Sequence, residues 1–379
     1  MTTNPQATTA IRLHAGGHHL TLISTSDTVT DYTRRSFNPW WKAFEVPAAT
    51  AWTGPLISAD IDASTYTDLR TLVESCPHQH TTYADAKTLV AHDSTGTITA
   101  VSPEPQLAYQ HYKRSNYLIL YGTRDDQVAL AAARIARDAL SGTLAADGWT
   151  QLRASAAVRD GQCVLTLSPQ AAGRTTTALA LATRGWQLLA TDRVLVRPAP
   201  RGTLDVLPWP SPAAIGLDVL DALGWSDVIR MHLQERDRPH PAQHPDVAQA
   251  LRPYGRGTFQ GDDDGHSGQK AQVLPEQFRS RFGLDLATAG RASTLLFPYV
   301  DPAAQPAALD RHCVVVIDDF LPGATEHRDP DLLGLAPTDT VSDHTRQAVT
   351  TCLARLPHHS IRLGRDLTAT ADFLASYLI

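Results

Sequence analysis

Residues 163–194 constrain this chain more than any other stretch. An apolar run at 163–167 (CVLTL) passes through Ser168-Pro169-Gln170-Ala171-Ala172 into Gly173-Arg174-Thr175-Thr176-Thr177 and an Ala- and Leu-rich segment. That segment reaches Arg184-Gly185, and a second apolar run at 187–190 (QLLA) ends in Thr191-Asp192. A strand, a small-residue turn, a Gly followed by a basic residue and a hydroxyl, and a helix make the layout of a phosphate-binding P-loop. A helix N-terminus offers unpaired amides and a partial positive charge, a basic side chain neutralises phosphate, and a hydroxyl can bind magnesium. Here those parts are the backbone after Ala172, the side chain of Arg174 and the hydroxyl of Thr175.

The pattern G-x-x-x-x-G-K-[ST] places its first Gly at Ser168 and its Lys at Arg174. A planar guanidinium does not fill the space of an ammonium. Side chains at Ser168, Ala171 and Ala172 crowd a backbone cradle that glycine would leave open. An ordinary strand-turn-helix unit with a Gly/Thr N-terminus has the same outline, so the pattern leaves both readings standing.

With 379 residues the chain has room for two domains. Its 39 acidic against 33 basic side chains, a formal net charge of -6, argue against a general nucleic-acid binder. No apolar stretch approaches the about 18 residues of a membrane span, and the polar start MTTNPQATTA lacks a signal-peptide layout, so a cytoplasmic protein without membrane attachment is expected. Cys76, Cys163, Cys313 and Cys352 are dispersed without a CxxC pair and read as reduced; Cys163 and Cys313 lie in apolar runs where thiols pack as small hydrophobes.

Short strand-like segments at 19–23 and 117–121, turns at Gly16-Gly17 and 94–97, and helical periodicity over 127–140 predict a mixed α+β N-terminal domain. From residue 154 the pattern predicts a hairpin, 154–158 and 163–167 about Asp160-Gly161, then a helix over 174–184 and strands at 187–190, 194–197 and 204–207. Ligands in open α/β sheets bind at strand carboxyl ends, which predicts Asp192 at the end of a central strand, facing the pocket. Further strands are expected at 294–299 and 313–317 and helices at 345–356 and 367–378. Residues 235–267 show little periodicity, and Asp262-Asp263-Asp264-Gly265-His266 within them reads as a solvated loop before it reads as a metal site. Cys76, His78 and His80 lack a second ligand pair and read as a surface turn around Pro77. Asp318 and Asp319 fit either a magnesium-binding strand end or a strand leaving the core.

The segment from Gly173 to Val194 resembles the kinase domain of HPr kinase/phosphorylase, and more closely the HPr-kinase-related proteins of natural-product clusters, including lasso-peptide kinases. Arg184-Gly185 stands at the family's turn, and Thr191-Asp192 at its two aspartate positions. NYLILYGT at 116–123, Arg134 and Arg137, Gly148-Trp149, residues 208–216, Lys270 with Val273-Leu274-Pro275, residues 296–302 and the ending at 362–366 are similar to this group. The resemblance implies an α/β fold: an HPr-kinase/PEP-carboxykinase-like P-loop domain over 111–379, after a smaller α+β domain over 1–110.

The resemblance also implies ATP and Mg2+ as cofactors, a small-molecule or peptide acceptor and assembly as a homo-oligomer. Carried over position by position, Asp192 is the catalytic carboxylate. Arg174 replaces the phosphate-binding Lys, with Ala172, Gly173, Thr175 and Thr176 completing the cradle. Thr175 and Asp192 hold the metal, and Lys270 is a loop cation near the transferring phosphate. Two departures stand out. Thr191 replaces the first aspartate, and Arg153, counted with the catalytic residues, stands where a histidine commonly precedes the hairpin. Together with Arg174 they make the pocket more positive, weakening metal binding while keeping anion binding. The implied function is ATP-dependent phosphoryl transfer to a hydroxyl in specialised metabolism. A catalytically inactive pseudokinase that binds a nucleotide or a partner protein, and a different phosphate-using reaction on the same fold, are the alternatives.

Overall fold

The structure, a computed structural model, describes residues 8–51, 53–169, 172–234, 240–251, 270–316, 319–320, 333–334 and 339–378. The chain is mixed α/β and divides into two compact units, Met1–Thr150 with Pro322–His344, and Gln151–Leu321 with Thr345–Ile379. This division falls at 150/151 and not at the expected 110/111, because the strand at 117–122 pairs into the first unit's sheet and the helix at 125–146 packs on it.

The first unit runs β1 (Thr9–Ala15), β2 (His18–Ser24), α1 (Asp27–Phe37), β3 (Lys42–Val46), β4 (Leu56–Ile61), α2 (Ala63–Ser75), β5 (Gln79–Tyr83), β6 (Ala86–His92), β7 (Thr97–Ser102), β8 (Leu107–Tyr112), β9 (Tyr117–Gly122) and α3 (Asp125–Ala146). Its nine strands form one sheet in the order β3-β1-β2-β4-β9-β8-β7-β6-β5. The β1–β2 hairpin turns at Gly16-Gly17, both at positive φ. Strands β2, β4 and β9 are mutually parallel, and Leu22, Ile57 and Leu118 stand in register on one buried face. On the other face Tyr66, Leu69 and Val73 of α2 pack against Val101, Ala108 and Tyr121. α3 carries Asp125 and Asp126 in its first turn, where the helix dipole favours negative charge, and ends before Gly148 at φ 83°.

The second unit's sheet begins with β10 (Thr150–Leu152), which straddles the division. It continues with β11 (Ser155–Arg159), β12 (Gln162–Thr166), α4 (Arg174–Ala182), β13 (Gln187–Ala190), β14 (Val194–Ala199) and β15 (Thr203–Pro208). β16 (Ala213–Gly216), α5 (Leu217–Ala222), α6 (Trp225–Gln234), α7 (Pro245–Ala250), β17 (Lys270–Val273) and α8 (Pro275–Phe282) follow, then β18 (Gly290–Val300), β19 (Ala307–Leu309), α9 (Asp339–Leu353), β20 (His358–Leu363) and α10 (Leu367–Tyr377). The sheet order is β10-β14-β15-β18-β12-β11-β13, with β20 on β18 and β19 on β20, while β16 and β17 form a separate ribbon.

Asp160 and Gly161, at φ 51° and 76°, close the β11–β12 hairpin with the two positive-φ residues that a tight two-residue turn requires. β12 and β13 both pair antiparallel with β11, and β12, β18 and β20 are parallel, so these four strands end at one sheet edge. Alternation along the strands separates two cores. Ala157, Val164, Leu296 and Ile361 pack under α4 and α10 with Ala180, Leu181, Ala371 and Leu374. Ala156, Val158, Cys163, Leu165 and Leu295 pack on the opposite side with Val196, Val206, Val349 and Leu353.

Four expectations are corrected. The helix over 174–184 closes at Ala182, because Gly185 at φ 83° turns the chain out of it. The expected strand at 313–317 is absent from its described residues 313–316; the strand beside β18 is β20, with the sequence HHSIRL. Cys313, at the start of that stretch, is only half-buried. Within 235–267, residues 245–250 form α7, begun by Pro245 at the first helical position and capped by His244. The Asp262–Asp264 and His266 cluster lies outside the described residues, as does Asp318.

Candidate phosphate site at the start of α4

Gly173 caps α4 at φ 100°, a left-handed conformation that only glycine adopts without strain. A Cβ there would fall 2.6 Å from Leu363 Cδ1 and 3.1 Å from Val300 Cγ2, side chains at the ends of β20 and β18. Gly173 thus lets the chain enter the helix pressed against the edge where four strands end. It brings no side chain to cap the helix, and α-helical geometry leaves the first-turn amides of Arg174, Thr175 and Thr176 without intrahelical partners. The Ala172 amide is engaged, donating to the Pro169 carbonyl at 3.3 Å.

Arg174 does not extend into solvent. Its side chain is 10% exposed, with Nη1 donating to the Arg153 carbonyl at 3.1 Å and Nη2 3.6 Å from Asp192 Oδ1. Burial pushes its proton affinity below the ordinary arginine value; the Asp192 carboxylate opposes that, and the Arg153 guanidinium adds to it. Arg193, next after Asp192, sets Nε 3.3 Å from Asp192 Oδ2 and lays its guanidinium 5.6 Å from the centre of the buried Trp209 ring. Asp192 is half exposed and bridges these two nearly buried cations. Thr175 Oγ1 donates to the Thr191 carbonyl at 2.9 Å, tying the first helical turn to the end of β13, and Ser155 Oγ donates to the Arg174 carbonyl.

The structure therefore brings together Arg153, Gly173, Arg174, Thr175 and Asp192 from the expected set. Thr176 is half-buried in the same first turn. Asp192 follows an edge strand, last in the sheet order, and not a central one. The reason is that β11, the partner of β13, returns antiparallel from β12. Asp319 joins the group through its backbone, whose carbonyl accepts from the Arg153 amide, and its carboxylate acts on Arg174. Lys270 lies on the β16–β17 ribbon, opposite Gly216, with its carbonyl accepting from Gln243; among the described residues no ion pair joins its ammonium to this group. Arg193 and Trp209 escaped the sequence reading. The signal for Arg193 was its adjacency to Asp192; that its guanidinium turns inward depends on Trp209, from the next strand pair.

Three guanidinium groups around a glycine-capped helix start fit a phosphate oligoanion, with the Asp192 and Asp319 carboxylates as its competitors for Arg174. They fit magnesium poorly, because beside waters and substrate phosphates the ion takes one or two uncommitted carboxylates from the protein. The Thr175 hydroxyl is spent on a carbonyl, both oxygens of Asp192 face arginines, and residue 191 brings no carboxylate. Among the described residues, no group of three or more His, Cys, Asp and Glu side chains is placed to hold a metal ion, the Cys76, His78 and His80 trio included. Among these residues, too, no helix is long and apolar enough to cross a membrane. No family model matches the sequence, and no curated protein matches it.

Proposed function

We propose that the second unit is an HPr-kinase-like P-loop phosphotransferase that binds ATP at the start of α4. It passes the terminal phosphoryl group to a hydroxyl of a small metabolite or peptide precursor, in the cytoplasm and in specialised metabolism. The observation that carries this reading is the convergence of Arg174, Thr175 and Asp192, from the start of one helix and the end of one strand, on a single sheet edge. In the reaction the acceptor oxygen bonds to the terminal phosphorus as the bond to the bridging oxygen of ADP breaks. Asp192 takes the hydroxyl proton. Arg174 and Arg193 hold the phosphoryl oxygens and neutralise their charge, the larger part of what phosphoryl transfer asks of a protein. Asp192 is able to act as a base only after the two guanidiniums move from its carboxylate to the phosphate.

That same pairing favours a second reading. Arg174, Thr175 and Asp192 already satisfy one another, as they would in a pseudokinase that binds a nucleotide or a partner protein without turnover. A thermal-shift titration with ATP, ADP and GTP, followed by an assay for ADP release with and without candidate hydroxyl acceptors, separates the two. A ligand of the folded state alone stabilises it by about 2.7 kcal/mol at a hundredfold excess over Kd. Stabilisation with ADP release supports the kinase, stabilisation without release supports the nucleotide-binding pseudokinase, and no stabilisation by any nucleotide removes both of these and leaves only a pseudokinase that binds a partner protein.

A further inference from the structure

The family's catalytic site implies magnesium, yet the donors at this site are already committed elsewhere, and its positive charge comes from arginine. We infer that polyphosphate binding at the start of α4 is independent of magnesium, with Arg193 as a phosphate-contacting residue beside Arg174 and Arg153. The inference rests on the phosphate-site reading and extends it to how the anion's charge is neutralised.

Two nearly buried guanidiniums, 10% and 15% exposed, share the Asp192 carboxylate, which is itself half open to solvent. Asp192 occupies the position from which an incoming anion would meet both. One carboxylate offers two oxygens, whereas a di- or triphosphate offers several to the same pair of forks, so exchange of Asp192 for phosphate gains charge-assisted hydrogen bonds. The face of Trp209 lies against the Arg193 guanidinium and limits how it turns, which keeps the fork near the sheet edge in either state. Arg153 adds a third positive charge, close enough to act on Arg174. Among the described residues, magnesium finds no comparable set of oxygen donors at this site.

The test uses the full chain, with isothermal titration of ATP and of inorganic tripolyphosphate, each in EDTA and in excess magnesium. Both probes should bind in EDTA with a Kd within roughly threefold of the magnesium value. Arg193→Ala should weaken both by about tenfold or more in EDTA, the scale of losing a charge-assisted hydrogen bond. Arg193→Lys keeps the charge without the fork and should recover part of that loss; Arg153→Ala gives an independent reading if Arg193→Ala unfolds, as its unliganded melting curve would reveal. Binding in magnesium but not in EDTA overturns this inference and leaves the phosphate site standing. Metal-independent binding unchanged in both the Arg193 and Arg153 variants overturns the arginine assignment. No binding in either buffer overturns the phosphate site itself.

Discussion

Arg174 Nη2 lies 3.6 Å from Asp192 Oδ1, so the guanidinium proposed to bind phosphate is paired with the carboxylate proposed to act as base. Asp192 thereby competes with any phosphate for the same guanidinium. Asp192→Asn should tighten ATP binding, by a few fold up to about tenfold, because a neutral amide is the weaker competitor. It should also abolish phosphoryl transfer to a hydroxyl acceptor, read as acceptor-dependent ADP release. Titration calorimetry with a turnover assay checks both; unchanged turnover would remove Asp192 from the role of base.

Gly173→Ala tests the backbone of the cradle. The new methyl group would meet Leu363 Cδ1 at 2.6 Å, at a φ of 100° that alanine adopts only under strain. A loss of about 1–3 kcal/mol of unfolding free energy is expected, together with weaker phosphate binding as the helix start shifts. Chemical denaturation measures the first. A stability equal to the parent's would mean that the chain enters α4 by another path.

Asp62 makes a pH-dependent contribution in the first unit. Its Oδ1 accepts the amides of Ser64 and Thr65 at 3.0 Å each, and the two hydroxyls also donate to its carboxylate. Those hydroxyl bonds, followed by the backbone bonds, hold its carboxyl down to about 2. A folded value below that of the unfolded chain, about 4, gives stability that is complete above about pH 4 and is lost as the pH falls toward 2. Asp62→Ala should cost about 1 kcal/mol at neutral pH, the scale of a lost N-cap. The gap from the parent should close over that acid window. A gap that stays constant down to pH 2 would contradict the capping role.

Much of the second unit was legible because its signals are local. The hairpin about Asp160-Gly161, the helix after Gly173 and the strand ending at Thr191-Asp192 follow one another along the chain, and each carries its own turn chemistry. That succession also places Arg174 and Asp192 at one sheet edge. What escaped was non-local. β20 reads HHSIRL and becomes a strand through its pairing with β18, far away in sequence. Lys270 sits on a ribbon formed with β16, a pairing that no nearby residue signals. The inward turn of Arg193 is decided by Trp209. The edge position of β13 follows from the antiparallel return of β11, which apolar periodicity alone does not encode.

The central claim, that Arg174 binds phosphate at the start of α4, meets its most direct test in the ATP affinity of the parent, Arg174→Ala and Arg174→Lys, measured by titration calorimetry on protein whose unliganded melting curve shows it folded. Truncation to alanine should cost roughly 2–4 kcal/mol of binding, the scale for removing one partner of a hydrogen-bonded charged contact. Lysine should fall between, since it keeps the charge and loses the fork. Lysine that binds better than the parent arginine would instead mark a P-loop that has lost its ancestral residue. An ATP affinity indifferent to both substitutions would show that Arg174 does not touch phosphate, contradicting the account at its starting point.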